Sequence, residues 1–359
     1  MATRIYPCLL VQDSIAMNFD KLLKGTTLSQ GILGALTSPS NTEGFSYNQI
    51  DGVLKPITGG KRIIQLRGIN PSCESEGGAC ATECDIDAEP NTYFYDNIEV
   101  NECDRFSFSL TETEFAEACA GRTEIISEAI GAKFKNFLKQ ISANIATKVA
   151  PYMSTIDGVD TVTNPIVVPF VATNGTPNVG AFAFADAKYI GIDQDVTPFY
   201  VGGGLFAQIA AIKKMAMRSP AGVLPYEYGS IPYDNIYFDN TIDGAINNGL
   251  QNVLSWAPGT IQLVTHLDNR ARKVSEPMSL IINGKTVNSF KKQLETVVVG
   301  DLELDFYYEY DCGTHKFVMQ LPWDIYALPT NALCTEKYPA IGFANVCGDI
   351  DVCGSVSSL

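Results

Sequence analysis

Between Thr111 and Ala150 the apolar residues recur at three- and four-residue steps: Ile126, Ile130, Phe134, Phe137, Leu138, Ile141, Ile145 and Val149. That spacing is the stripe of an amphipathic helix. Thr111 with Glu114 three residues on is a capping-box pattern, and Pro151 cannot donate to the preceding turn. A continuous helix over this stretch would be about 60 Å long at roughly 1.5 Å per residue. Gly121 and Gly131 interrupt it, so a bend or a start nearer Arg122 is expected.

A period of two replaces this pattern near the C-terminal end. From Asp301 to Asp311, Leu302, Leu304, Phe306, Tyr308 and Tyr310 alternate with mostly acidic residues, which predicts a strand with one wet face. A turn at Cys312-Gly313-Thr314 leads into a second run, Lys316–Leu321 and then Trp323–Leu328, completing a long antiparallel hairpin. Earlier, two apolar runs flank Thr58-Gly59-Gly60 within GVLKPITGGKRIIQLRGI, a hairpin signal, and Tyr93–Val100 reads as a strand returning toward the long helix. Short strands with proline at their edges (Pro165–Val171) and helices over Leu205–Met217 and Thr241–Leu254 complete the expectation. Residues 1–45 lack a sustained period. They read as an extended arm that packs on something else, with Leu22–Leu36 able to form a short helix, or as a poorly ordered terminus.

Composition narrows the function classes. The 359 residues favour two or three lobes, and no apolar run is long enough to span a membrane. The opening MATRIYPCLLVQDS lacks a secretory apolar segment, so folding in a cytoplasm is expected. A net charge of −15 argues against tight sequence-independent nucleic-acid binding. The charge is uneven. Lys55, Lys61, Arg62 and Arg67 make the first hairpin basic, whereas residues 70–104 carry ten acidic residues and no Lys or Arg.

Candidate chemistry is sparse. Two histidines, His266 and His315, leave little room for a triad or a multi-histidine metal site, and surface or structural roles are expected for them. Gly202-Gly203-Gly204 lacks the Lys-Ser/Thr of a phosphate loop and reads as a turn. Cys73, Cys80, Cys84 and Cys103 could offer four thiolates to zinc, pair as disulfides, or stay free thiols as a reducing cytoplasm favours. Their spacing is not that of paired knuckles. The carboxylates of Asp301–Asp311 read as a solvated face. No catalytic constellation and no cofactor emerges. The class expected is α+β: arm, hairpin protrusion, long helix, then a mixed lobe.

The order of these pieces resembles that of tailed-phage major capsid proteins of the HK97 fold, especially those of phages infecting Bacteroidetes. The resemblance rests on residues 1–45, on KPITGGKRIIQLRGI, on EIISEAIGAKFKNFLKQISANIATKV, on YDNIYFDNTIDGAINNGLQNVLSWAPGTIQLVTHLDN and on DLELDFYYEYDCGTHKFVMQLPWDIYALPTNAL. It implies a shell subunit with an N-terminal arm (1–45), an extended loop (46–108), a peripheral domain with the spine helix (109–179), an axial domain (180–340) from which some strands return to the peripheral domain, and a tail (341–359). It also implies self-association into hexamers and pentamers around double-stranded DNA touched only weakly. Portal, scaffolding or decoration proteins would be further partners, with no membrane involved, and the location would be the virion after assembly in a host cytoplasm. Lys55, Lys61, Arg62 and Arg67 become subunit-interface candidates. The cysteine-rich acidic insertion departs from the minimal fold, and nothing in the residues assigns a covalent cross-link. A non-viral shell of the same fold, or a decoration or tail protein, is the competing expectation.

Overall fold

The computed structural model describes residues 31–42, 46–49, 62–70, 92–119, 124–152, 166–167, 198–203, 235–247, 251–256, 258–270, 273–282, 285–299, 302–327 and 340–345. Two short helices come first, α1 (Ile32–Thr37) and α2 (Pro39–Thr42), followed by strands β1 (Ser46–Gln49), β2 (Ile63–Asn70), β3 (Thr92–Glu99) and β4 (Glu102–Thr111). Helices α3 (Glu112–Cys119) and α4 (Glu124–Val149) then run into a single 3-10 turn at Ala150–Tyr152. The capping box is formed: the Thr111 N–H donates to Glu114 Oε2 at 2.8 Å, and the Glu114 N–H donates to Thr111 Oγ1 at 3.3 Å. Gly131 lies inside an unbroken helix, and Gly121 lies outside the described residues. At 26 residues, α4 is about 39 Å long.

The remaining strands are β5 (Ile166–Val167), β6 (Phe199–Gly202), β7 (Ile236–Phe238), β8 (Gln251–Trp256), β9 (Ile261–Thr265), β10 (Val274–Ile282), β11 (Lys285–Val299), β12 (Leu302–Asp311), β13 (Thr314–Ala327) and β14 (Ala340–Asn345), with helix α5 (Ile242–Ile246) before β8. The largest sheet has the order β10-β11-β12-β13-β4, all antiparallel. β13 changes partner along its length: Thr314–Trp323 pair with β4, and Trp323–Ala327 pair with β9. The predicted β12–β13 hairpin is present, and its Cys312-Gly313 turn has both residues at positive φ, 46° and 81°. At the opposite edge, the β10–β11 register shifts between Glu276 and Pro277, where Lys291 of β11 is the extra residue. A second sheet has the order β5-β14-β8-β6-β7, and a third is β1-β2-β3. Helices and mainly antiparallel sheets in separate stretches make the α+β class expected.

The α4 stripe is buried from Ile130 through Val149. It lies on the alternate residues of β4, where Phe106 meets Phe134 and Phe137 with ring centroids 5.8 and 5.0 Å apart, and Phe108 stacks on Phe317 at 4.7 Å. Burial of such aromatic surface is the main driving force for holding helix to sheet. The same apolar cluster continues into Phe199, Val201, Leu254 and Trp256 of the second sheet, across the boundary expected near residue 180.

Three expectations change. Residues 32–42, expected in an extended arm that packs on something else, pack on their own chain: Ile32, Leu33, Ala35 and Leu36 are buried in this core, and the Asp239 carboxylate accepts the Ile32 N–H at 3.1 Å. Asn41, also buried, donates to the Ile261 carbonyl and accepts from the Trp256 indole. Those partners sit more than two hundred residues away, where local periodicity carries no trace of them. The helix expected over Thr241–Leu254 ends at Ile246, because Asn247 takes the left-handed conformation (φ 49°) and Gln251–Trp256 pair as β8. The first hairpin is a three-stranded meander in which Ser46–Gln49 pairs with Ile64–Arg67, and Ile63–Asn70 pairs in turn with Thr92–Glu99. The Thr58-Gly59-Gly60 turn, the helix expected over 205–217 and the rest of 1–45 lie outside the described residues.

Candidate subunit interface

The three-stranded sheet joins the body at one end. There Ile64, Leu66, Val100, Val264 and Tyr326 form a small apolar cluster separate from the main core. The Val100 N–H donates to the Arg62 carbonyl at 2.7 Å, closing the base of the β2–β3 pair. Beside the cluster the Arg62 guanidinium forks onto Asp268, Nε to Oδ1 at 3.3 Å and Nη2 to Oδ2 at 3.0 Å. Such a bidentate pair fixes orientation as well as charge. These contacts hold Arg62 protonated, raising its pKa against the opposing effect of burial.

Asp268 is placed in turn by Asp305. The fully buried Asp305 carboxylate accepts the N–H groups of Asp268 and Asn269, each at 2.8 Å. Burial raises its pKa, and the two backbone donors pull the other way. Asp305 was expected on the wet face of β12. It is covered because the 267–270 turn folds across the strand and needs an acceptor for two inward N–H groups. Tyr307, its neighbour two residues on, is half-buried with its hydroxyl 3.0 Å from Gln320 Nε2, and burial pushes its phenol up. The only hint in the sequence was Asp268-Asn269, a turn-forming pair. A second brace lies close by, where Lys148 at the end of α4 bridges Glu102 at 2.8 Å and approaches Asp324.

Of the interface candidates, Arg62 is committed to its own chain, and the backbone of Arg67 sits opposite Ser46 and Tyr95. Lys55 and Lys61 lie outside the described residues, as do Cys73, Cys80 and Cys84. Cys103 is an exposed free thiol on β4 whose pKa is raised by desolvation despite the nearby Arg62. Among the described residues no three His, Cys, Asp or Glu side chains converge as a metal site.

Both histidines are buried. His315 is buried, stacked on Phe115 at 3.8 Å with Nδ1 2.7 Å from the Tyr308 hydroxyl, and burial lowers its pKa to about 4. His266, nearly buried, lies 3.6 Å from Asp268. A phosphate at the glycine triplet is opposed by a carboxylate: a Cβ on Gly203 would stand 2.6 Å from Asp243 Oδ2.

No protein-family model and no curated protein matches the sequence. Solved structures do. A chain of the bacteriophage PhiM1 mature capsid is similar over 79% of this chain and 83% of its own, at 8% identity and a TM-score of 0.38. A chain of the cyanophage P-SCSP1u capsid is similar over 80% and 85%, at 11% identity and 0.36. Phage capsid chains are thus among its structural neighbours. A Mycobacterium phage Bobi chain is similar over 93% of this chain and 98% of its own, at 12% identity and 0.38.

Proposed function

We propose that this chain is a major capsid subunit, a structural protein that self-assembles into an icosahedral shell around phage double-stranded DNA. The carrying observation is the β1–β3 sheet, rooted in the body by one small apolar cluster and one ion-pair network. A small sheet needs its apolar face covered, and among the described residues no other element makes extensive contact with this one beyond the root. A neighbouring subunit would complete it. Lys55, Lys61 and Arg67 remain its interface candidates, while Arg62 sets the sheet's angle. Hexamers and pentamers of this chain are the assembling units, with portal, scaffolding or decoration proteins as further partners. The division into peripheral and axial parts belongs to the same proposal, as do a non-enzymatic role and assembly in a host cytoplasm.

Size-exclusion chromatography with light scattering, followed by negative-stain microscopy of the heaviest fraction, tests the reading. Closed shells, or pentamers and hexamers, are expected. A 38.9 kDa monomer at all concentrations, with and without the proteins encoded beside it, would overturn it. Shells that never hold nuclease-resistant DNA would favour a compartment instead.

A further inference from the structure

Residues directly opposite one another on neighbouring strands share a face of their sheet. In the largest sheet the register therefore sets Lys316 of β13, Glu309 of β12, Lys292 of β11 and Glu276 of β10 side by side. Two residues along each strand, a second row runs Val318, Tyr307, Leu294 and Val274. Along β12 both rows alternate with the buried Phe306 and Tyr308, so they point away from the core. Glu276, Glu309 and Lys316 are exposed, and Lys292 and the apolar four are partly exposed. The register shift in β10 starts just past Glu276 and leaves both rows in line. A cross-strand charge ladder ordinarily pairs within itself. This one does not: among the described residues Glu276, Lys292 and Glu309 form no ion pair, and Lys316 turns to Asp311 at 2.8 Å.

The signs across the sheet run plus, minus, plus, minus. Reversed end to end, such a row is its own complement. We propose that this face is a two-fold docking surface for a second copy of this chain. An axis along the strands, between β11 and β12, sets Glu309 against Lys292 of the second copy and Lys316 against its Glu276. Each of these pairs occurs twice, as an isologous contact requires. The same rotation lays Tyr307 on Leu294 and Val318 on Val274, so the apolar row meets itself. A partner of a single charge sign would meet like charges as often as opposite ones, which disfavours it. The extent of the face makes the pair a weak one. Five strands about 4.8 Å apart and two rows with their margins cover roughly 300–400 Å² per copy. That is at most half of the ~800 Å² that each partner buries in a standard interface. Free subunits would pair and separate readily, so the contact goes beyond the capsid reading and does not depend on it.

The test is sedimentation velocity of the full chain in about 150 mM salt, where unpaired surface charges are largely screened from one another. A concentration-dependent dimer, resolved from any larger particle, is expected for the wild type. Lys292→Glu sets a carboxylate against Glu309 of the second copy, and Glu309→Lys sets an ammonium against its Lys292. Each should weaken dimerisation at least tenfold. An equimolar mixture of the two variants should form mixed dimers at close to wild-type strength, because opposite charges then meet at both positions. Within each chain the cross-strand repulsion persists in the mixture, so only contact between copies can restore pairing. The double variant K292E/E309K should dimerise like the wild type. A mixture that pairs no better than either variant alone would overturn the proposal, as would wild-type dimers that neither substitution weakens. So would a wild type that stays monomeric up to about 300 µM, a concentration that populates even a ~100 µM complex. Failure of the capsid reading looks different: dimers would form and answer to charge as expected, but no shell would follow.

Discussion

The core beneath α4 and the root of the β1–β3 sheet solve the same problem with different materials. Under α4, phenylalanines from helix and sheet interlock ring on ring, with Tyr308 against Phe317 at their margin. At the root, five apolar residues are supplemented by Arg62, Asp268 and Asp305. Apolar packing tolerates no gap but asks little of orientation. The ion-pair network adds less net stability and constrains direction more strictly. The body is built to persist, and the projection is built to point.

Replacing Phe134 by Ala should show the largest effect, destabilising the fold by about 3–5 kcal/mol in urea melts, because a buried ring leaves a cavity. An effect below 1 kcal/mol would break the contrast. Acid should come next. The folded-state pKa of His315, about 4, lies below the ordinary 6.5. The unfolded chain therefore binds the proton first, and stability present above pH 6.5 is lost as pH falls toward 4, at up to about 1.4 kcal/mol per unit. Glu112, the charge facing the ring from α3, moderates this. His315→Gln should flatten the slope of unfolding free energy between those pH values.

Asp305→Ala should cost about 1–3 kcal/mol by leaving two buried N–H groups unsatisfied. Its signature is local: hydrogen exchange should quicken across 62–66 and 97–100 while α4 stays protected. Uniform loss of protection would show that root and body are one unit. Thr111→Ala should cost about 1 kcal/mol by removing half of the capping box, seen as fraying of α3.

How far the sequence spoke differs between the same two regions. The α4 stripe, the capping box and the β12–β13 alternation are properties of neighbouring residues, and each was legible. The root was not. Arg62 and Asp268 are 206 positions apart, and Asp305 looked like any acid on a wet strand until a distant turn was laid over it. Ile32–Leu36 likewise looked like arm, because the pocket that takes it is assembled from β6, β7, β9 and α4. Gln251–Trp256 alternates too briefly to outweigh the helical spacing ahead of it, and only its pairing with β6 and β14 decides the matter.

The kinked margin of the largest sheet bears on how such a protein behaves when crowded. Among the described residues β10 ends its sheet, and an edge strand is where a similar edge of another copy could add on. At Glu276/Pro277 its pairing with β11 shifts by one residue and Pro277 has no backbone N–H, which interrupts any in-register pairing of a second copy along it. The proline and the register shift together blunt that edge against pairing with a second copy.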